Sequence, residues 1–344
     1  MNKSIYYDGV RLLSLKDLNK ERPEIYISDG NRTAGKTTYF NRLLINQFKK
    51  NNSQFAIICR FKYELEGVAD RFFKDIKGLF FPDDTMSEKK IQNNYTILFL
   101  NNQICGYALP LSGARYIKEH SHLFNEVNRM LFDEFQPEDG RYLPEEVNKL
   151  RSIHTSVARG HGELVRYVPV YMVSNSVDLL NPYYLSFGIS ERLREDTNIL
   201  RGEGWVMEHV YNAAASEAQA SSAFNRAFSG DKYGEYLTSR KYLNNSAAFI
   251  ESISGENTLV CNFIAGGEYY AIRLYQKEQL FYVSENPDKT RLTYAITALD
   301  HFKGSVLLSN KMPVYKTVRE AFNLGRIRFK NQKCKHALFT FLAI

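Results

Sequence analysis

Gly30-Asn31-Arg32-Thr33-Ala34-Gly35-Lys36-Thr37 is the stretch on which the reading of this sequence turns. It satisfies G-x-x-x-x-G-K-[ST] at every fixed position. Glycine lets the backbone curl until its N–H groups, here including those of Asn31, Arg32, Thr33 and Ala34, point inward at phosphate oxygens. Lys36 sets a cation on the β and γ phosphates, and Thr37 offers an oxygen to Mg²⁺. Thr38 follows in the first turn of a helix whose dipole favours the same anion. The flanks agree with this reading. Residues 24–29 (EIYISD) form an apolar strand ending at Gly30, and Phe40, Leu43, Leu44 and Phe48 recur at helical spacing from Thr37 to about Lys50.

Working outward, residues 54–61 (QFAIICRF) are a buried strand, and 95–100 with 105–111 flank Asn101-Asn102 as a hairpin. The run 129–135 (RMLFDEF) is another strand, 142–159 suits a helix, and 167–176 (YVPVYMVSNS) is a further apolar strand. Strands alternating with helices predict a parallel α/β sheet. The strand at 129–135 ends in Asp133 and Glu134. Alone, two acids at a strand end also describe a solvated terminus. Downstream of the phosphate loop they fit a magnesium ligand, Asp133, and a general base for the attacking water, Glu134. A second acid beside the metal carboxylate favours a water-using ATPase that couples hydrolysis to motion.

Three further positions carry weaker signals. Asn175, ending the next strand, is placed to sense the γ-phosphate or to align the water, although an Asn turn is an equal reading. Arg159 lies in the glycine-rich loop 156–162, where a surface arginine and an arginine finger are both possible readings. His154 and His161 have no third ligand at metal spacing and read as non-catalytic.

The chain has 344 residues and a net charge of +7, with 44% hydrophobic and 24% charged residues, an ordinary globular composition for two domains. Nine basic residues and one acid fall in 301–344, leaving the rest near neutral; such a tail suits a polyanion or an acidic surface. Four scattered cysteines with no CxxC pair argue against a disulfide framework or zinc site. No apolar run approaches a membrane span, and the start, MNKSIYYDGV, has no leader-like apolar region. The division expected is an ATPase domain at 1–210, a helical linker at 211–245 and a β-rich domain at 246–344, closed by a helix from Val318 to Phe329.

Taken together these residues resemble a family: the DNA-packaging motor ATPase, or DNA encapsidation protein, of small short-tailed phages with protein-primed linear genomes. The resemblance rests on the loop Gly30–Thr37, Arg60-Phe61-Lys62-Tyr63-Glu64-Leu65, Gly106-Tyr107-Ala108-Leu109-Pro110-Leu111-Ser112, Phe132-Asp133-Glu134-Phe135 and Tyr142-Leu143-Pro144-Glu145-Glu146-Val147. Ser174-Asn175, Asn181-Pro182-Tyr183, Tyr233-Gly234-Glu235 and Phe249-Ile250-Glu251 extend it. It implies a P-loop NTPase of the additional-strand class with an RNase H-like C-terminal domain that has lost its nuclease site. It also implies ATP and Mg²⁺ as ligands, and a homo-oligomeric ring of five subunits on the phage portal at the capsid vertex. Such a motor moves double-stranded DNA into a preformed capsid, in the host cytoplasm and without a membrane partner. Some relatives also dock on a structural RNA. By the same resemblance Arg159 is the trans-acting arginine and Lys62 a second residue reaching the neighbouring site. Two rival functions keep the same loop: a helicase or other DNA-translocating ATPase, and a small-molecule phosphotransferase.

Overall fold

A computed structural model describes residues 7–159, 165–178, 181–189, 192–193, 197–227 and 249–344. His161, the Tyr233-Gly234-Glu235 landmark and most of the expected linker lie outside them. Two compact units emerge: Met1–Val177 with Glu191–Leu243, and Asp178–Ser190 with Asn244–Ile344. The segment 178–190 therefore groups with the C-terminal unit rather than with the first 210 residues.

In the first unit nine strands follow in chain order: β1 (Ile25–Gly30), β2 (Gln54–Cys59), β3 (Met86–Ile91), β4 (Tyr95–Leu100), β5 (Gln103–Pro110), β6 (Val127–Asp133), β7 (Val170–Val173), β8 (Ile199–Gly202) and β9 (Trp205–Val210). They form one sheet in the order β3-β4-β5-β2-β6-β7-β1-β9-β8. The run from β5 to β9 is parallel. Antiparallel hairpins close both edges. β7 stands between the phosphate-loop strand β1 and the acid-bearing strand β6, which is the added strand of the additional-strand NTPases. The helix Lys36–Asn51 buries Phe40, Leu44, Ile45 and Phe48. With Phe72 and Phe73 of the helix Val68–Phe80 they join Phe55, Ile57, Leu131 and Tyr171 in one apolar cluster. β3 escapes the hydrophobic pattern because MSEKKI is a polar edge strand.

Register brings the strand ends into line. Ser28 pairs with Val173, and Asp133 pairs with Val173 from the other side. The chain leaves β1, β6 and β7 at one carboxyl edge, where parallel sheets present their ligand sites.

The second unit holds β10 (Thr258–Ala265), β11 (Glu268–Tyr275), β12 (Leu280–Ser284), β13 (Thr293–Ala295), β14 (Ser305–Leu307) and β15 (Ile327–Phe329), in the order β14-β13-β10-β11-β12-β15. The first three are antiparallel, and β13 and β14 run parallel to β10. This is the RNase H-like strand order with β15 added at one edge. The expected closing helix over 318–329 does not form as one element. The helix is Pro313–Asn323, it stops before Gly325 (φ 69°), and Ile327–Phe329 pairs parallel to β12. A positive φ breaks the helical repeat, and the Ile-Arg-Phe alternation then suits a strand. A last helix, Gln332–Leu342, follows.

The basic tail is not a bare patch either. Arg328 pairs with Glu251, Lys330 with Glu285, and Lys333 with Glu268 and Glu285, while Lys335 is buried. The acidic side chains of this unit that a nuclease centre would have to bring together are engaged separately. Glu251 holds Arg328 and Glu268 holds Lys333, Asp288 accepts from the Thr290 N–H and hydroxyl, and Asp300 accepts from Gly267 N–H and the Thr297 hydroxyl.

Candidate active site

The loop Gly30–Thr37 leaves β1 and enters the helix Lys36–Asn51. Two glycines are needed for distinct reasons. A Cβ on Gly30 would sit 2.0 Å from the Val210 carbonyl oxygen of β9. Gly35 has φ 91°, which L side chains rarely adopt. Lys36 is 5% exposed and its ammonium donates to the Asn31 carbonyl at 2.8 Å, so it folds back over the loop. Burial pulls its pKa down to about 8, with Asp29 and Asp133 opposing. A phosphate in the loop would supply the counter-charge that this amine lacks.

Thr37 and Asp133 meet: the threonine hydroxyl donates to Asp133 Oδ1 at 3.1 Å, across 96 residues of sequence. Burial, and then the Glu134 charge, push the Asp133 carboxyl up to about 6; the Thr37 hydroxyl and Lys36 pull the other way. Two oxygens so placed suit a hard divalent cation, which would reverse that shift. Glu134 is exposed, with φ 53°, and its N–H donates to Asp133 Oδ1 at 3.0 Å. The chain turns sharply after Asp133, so the two carboxylates diverge in backbone conformation although adjacent in sequence. Asn175 lies just beyond β7 at the same edge, between segments tied by Ser174 N–H to Ser28 O and Ser176 N–H to Gly30 O, both 3.1 Å. Lys62 opens a short helical turn after β2 and is exposed. Arg159, two residues past the helix Glu146–Val157, is also exposed. His154 is structural: its Nε2 lies 2.8 Å from the Val168 carbonyl oxygen and 3.5 Å from Glu24.

Three supporting sets of contacts have no signal in the sequence. Asp29, fully buried, meets His209 Nδ1 at 2.7 Å beneath the loop. The Asn31 side chain, 3% exposed, donates to the Asn212 carbonyl at 2.9 Å and to Ser216 Oγ at 2.7 Å. It also accepts from Asn212 N–H at 2.9 Å. Asn212 in turn caps the helix Ala213–Ser221, so the phosphate loop and that helix are stitched together. Arg60 at the end of β2 forms a buried pair with Glu146 at 2.9 Å, the two being 5% and 2% exposed. The same guanidinium donates to the carbonyls of Glu134 (3.3 Å) and Phe135 (2.9 Å). Glu146 also accepts from Leu143 N–H at 2.7 Å. Arg60 therefore ties the Glu134 turn to the start of the helix that leads to Arg159.

Removing one member of a buried pair strands the other charge, at a cost of about 3–5 kcal/mol. Arg60→Ala is expected to lower stability by about that much in denaturant titration. Replacing both members, Arg60→Met with Glu146→Leu, should recover most of the loss, because packed apolar groups avoid the desolvation penalty.

Comparison with known proteins gives concordant results. The podovirus DNA encapsidation protein (Gp16) family matches residues 1–343. The DNA packaging protein of Bacillus phage phi29 is 26% identical over 344 residues, covering 98% of this chain and 97% of the relative. Among solved structures, the Phi-28 gp11 DNA packaging motor aligns with TM-score 0.62 at 15% identity, covering 99% of this chain and 98% of that one. The N-terminal domain of the phi29 DNA packaging ATPase aligns with TM-score 0.50 at 26% identity, covering 61% of this chain and 98% of that one.

Proposed function

The chain belongs to the podovirus DNA encapsidation protein family, and from that premise we propose that it hydrolyses ATP to drive double-stranded DNA into a phage capsid. The observation that carries the hydrolytic part is the Thr37–Asp133 contact, which closes the phosphate loop onto the acidic end of β6.

In this reading the loop N–H groups and Lys36 hold the β and γ phosphates, and Thr37 and Asp133 would hold Mg²⁺. The metal, when bound, neutralises charge building between those phosphates. Glu134 accepts a proton from water as the water oxygen bonds to the γ-phosphorus. The bond from that phosphorus to the β–γ bridging oxygen breaks, and ADP leaves with the electron pair. Asn175, at the same edge, aligns the water or contacts the γ-phosphate. Arg60 sets the Glu134 turn through its two carbonyl contacts. Arg159 and Lys62, exposed on their own chain, serve the site of the next subunit in a ring of five seated on the portal. Grip on duplex DNA is to phosphates, hence independent of sequence and weakened by salt. The C-terminal unit keeps an RNase H-like sheet without a working nuclease centre.

The test is ATP turnover by the full chain assembled on portal-bearing capsids, with and without duplex DNA. Turnover should rise on adding DNA and fall with salt. Turnover indifferent to DNA, or transfer of phosphate to a small acceptor, would replace the motor with a phosphotransferase.

A further inference from the structure

The first unit has a second cleft, of about 510 Å³, where β1, β6 and β7 begin. It is remote from the phosphate loop. Leu43 and Gln47 of the helix Lys36–Asn51 form part of its wall, and Gln47 lies eleven residues along from Lys36, roughly 16 Å at the helical rise. Its volume is that of an ordinary small-ligand site.

Two features suit the cleft to an anionic ligand. Lys16, Arg22 and Arg129 line it and no acidic residue does. Among the described residues none of the three makes an ion pair: the Arg22 guanidinium stacks 3.9 Å over the Tyr167 ring, and Arg129 Nε donates to Asn128. The second feature is Tyr171. Its ring is buried, and its hydroxyl, which makes no hydrogen bond to any described residue, is open to the cleft. The hydroxyl itself is not sealed from water, so a ligand in the cleft can reach it. Tyr26 and Tyr171 are register partners on adjacent strands, and their rings, 5.7 Å apart, make one aromatic wall.

We propose that this cleft is a second nucleotide-binding site, taking one nucleotide unit with its phosphate at Arg22 and Arg129 and its base against the tyrosine wall. Guanidinium groups suit phosphate oxygens, a phenol hydroxyl donates to the same anion, and tyrosine faces stack bases of any identity. The unit comes either free or within a single strand. In a duplex the bases are stacked and paired, so a duplex cannot present one.

The experiment uses the full-length chain carrying Lys36→Ala, which disables the phosphate loop, titrated calorimetrically with AMP, a short oligothymidylate and a blunt duplex. AMP or the oligonucleotide should still bind, and adding Arg129→Ala should weaken that binding at least roughly tenfold. Tyr171→Phe, which keeps the ring and the fold, should weaken it severalfold with an unchanged melting temperature. AMP binding as tightly as the oligonucleotide identifies a free nucleotide; a clear preference for the oligonucleotide identifies a strand. The proposal is overturned if neither AMP nor the oligothymidylate binds, if Arg129→Ala leaves their binding unchanged, or if Arg129→Ala weakens duplex binding, which is held elsewhere on the chain, by as much as it weakens theirs. Wild-type protein that binds nucleotide at the phosphate loop while Lys36→Ala binds none would remove this site and leave the ATPase reading intact.

Discussion

Glu134→Gln should bind ATP within a few-fold of the wild type and turn it over on the order of 10²–10⁴ times more slowly, the usual worth of a general base. Glutamine keeps the length and the hydrogen-bonding shape of the side chain but cannot take a proton at neutral pH. Glu134 projects from a turn at φ 53°, directly after the carboxylate that meets Thr37. Burial and the Glu134 charge hold the Asp133 carboxyl near 6, so replacing Glu134 by a neutral amide also relieves part of that shift. Binding should therefore survive while the proton-accepting step fails. Equilibrium binding of a nucleotide analogue, set beside single-turnover hydrolysis, separates the two. Undiminished hydrolysis would remove Glu134 from its role.

If Arg159 is the arginine finger of the proposed ring, Arg159→Ala is expected to lower turnover on the order of 10³-fold or more. The residue is exposed and lies two positions beyond the helix that begins at the Arg60–Glu146 pair. A group in that position has little to do for its own fold, so stability should hardly move. The trans assignment has a sharper check. Subunits carrying Arg159→Ala mixed with subunits carrying Glu134→Gln create some interfaces with both groups intact. Activity should then exceed that of either pure variant. If no mixing ratio restores turnover, Arg159 does not act across an interface.

The part of the site legible in the sequence is the part where local chemistry and function coincide. The phosphate loop needs its glycines and lysine in one short run, and β6 had to be an apolar strand before its two acids could stand at the sheet edge. The contact between Thr37 and Asp133 followed from the topology of alternating strands and helices. What stayed hidden was side-chain pairing over long separations. Nothing in the identity of Asn31 announces Asn212, 181 residues away. Arg60 and Glu146 read as landmarks of a family and not as a buried pair. The stretch 318–329 misled because an amphipathic helix and a short alternating strand share apolar residues, and only the left-handed Gly325 divides them. The tail's net charge is legible in the sequence, but not that Glu251, Glu268 and Glu285 lie against Arg328, Lys330 and Lys333.

The Asn31–Asn212 stitch bears on where this protein can be cut. A fragment ending at Val210 would contain every residue of the nucleotide motif and a complete nine-stranded sheet. It would still lack the peptide group and the serine that brace Asn31, leaving the buried amide of that side chain to seek water instead. A dissected N-terminal half meant to bind nucleotide as the whole chain does has to run past Ser221, so that the cradle keeps its backing.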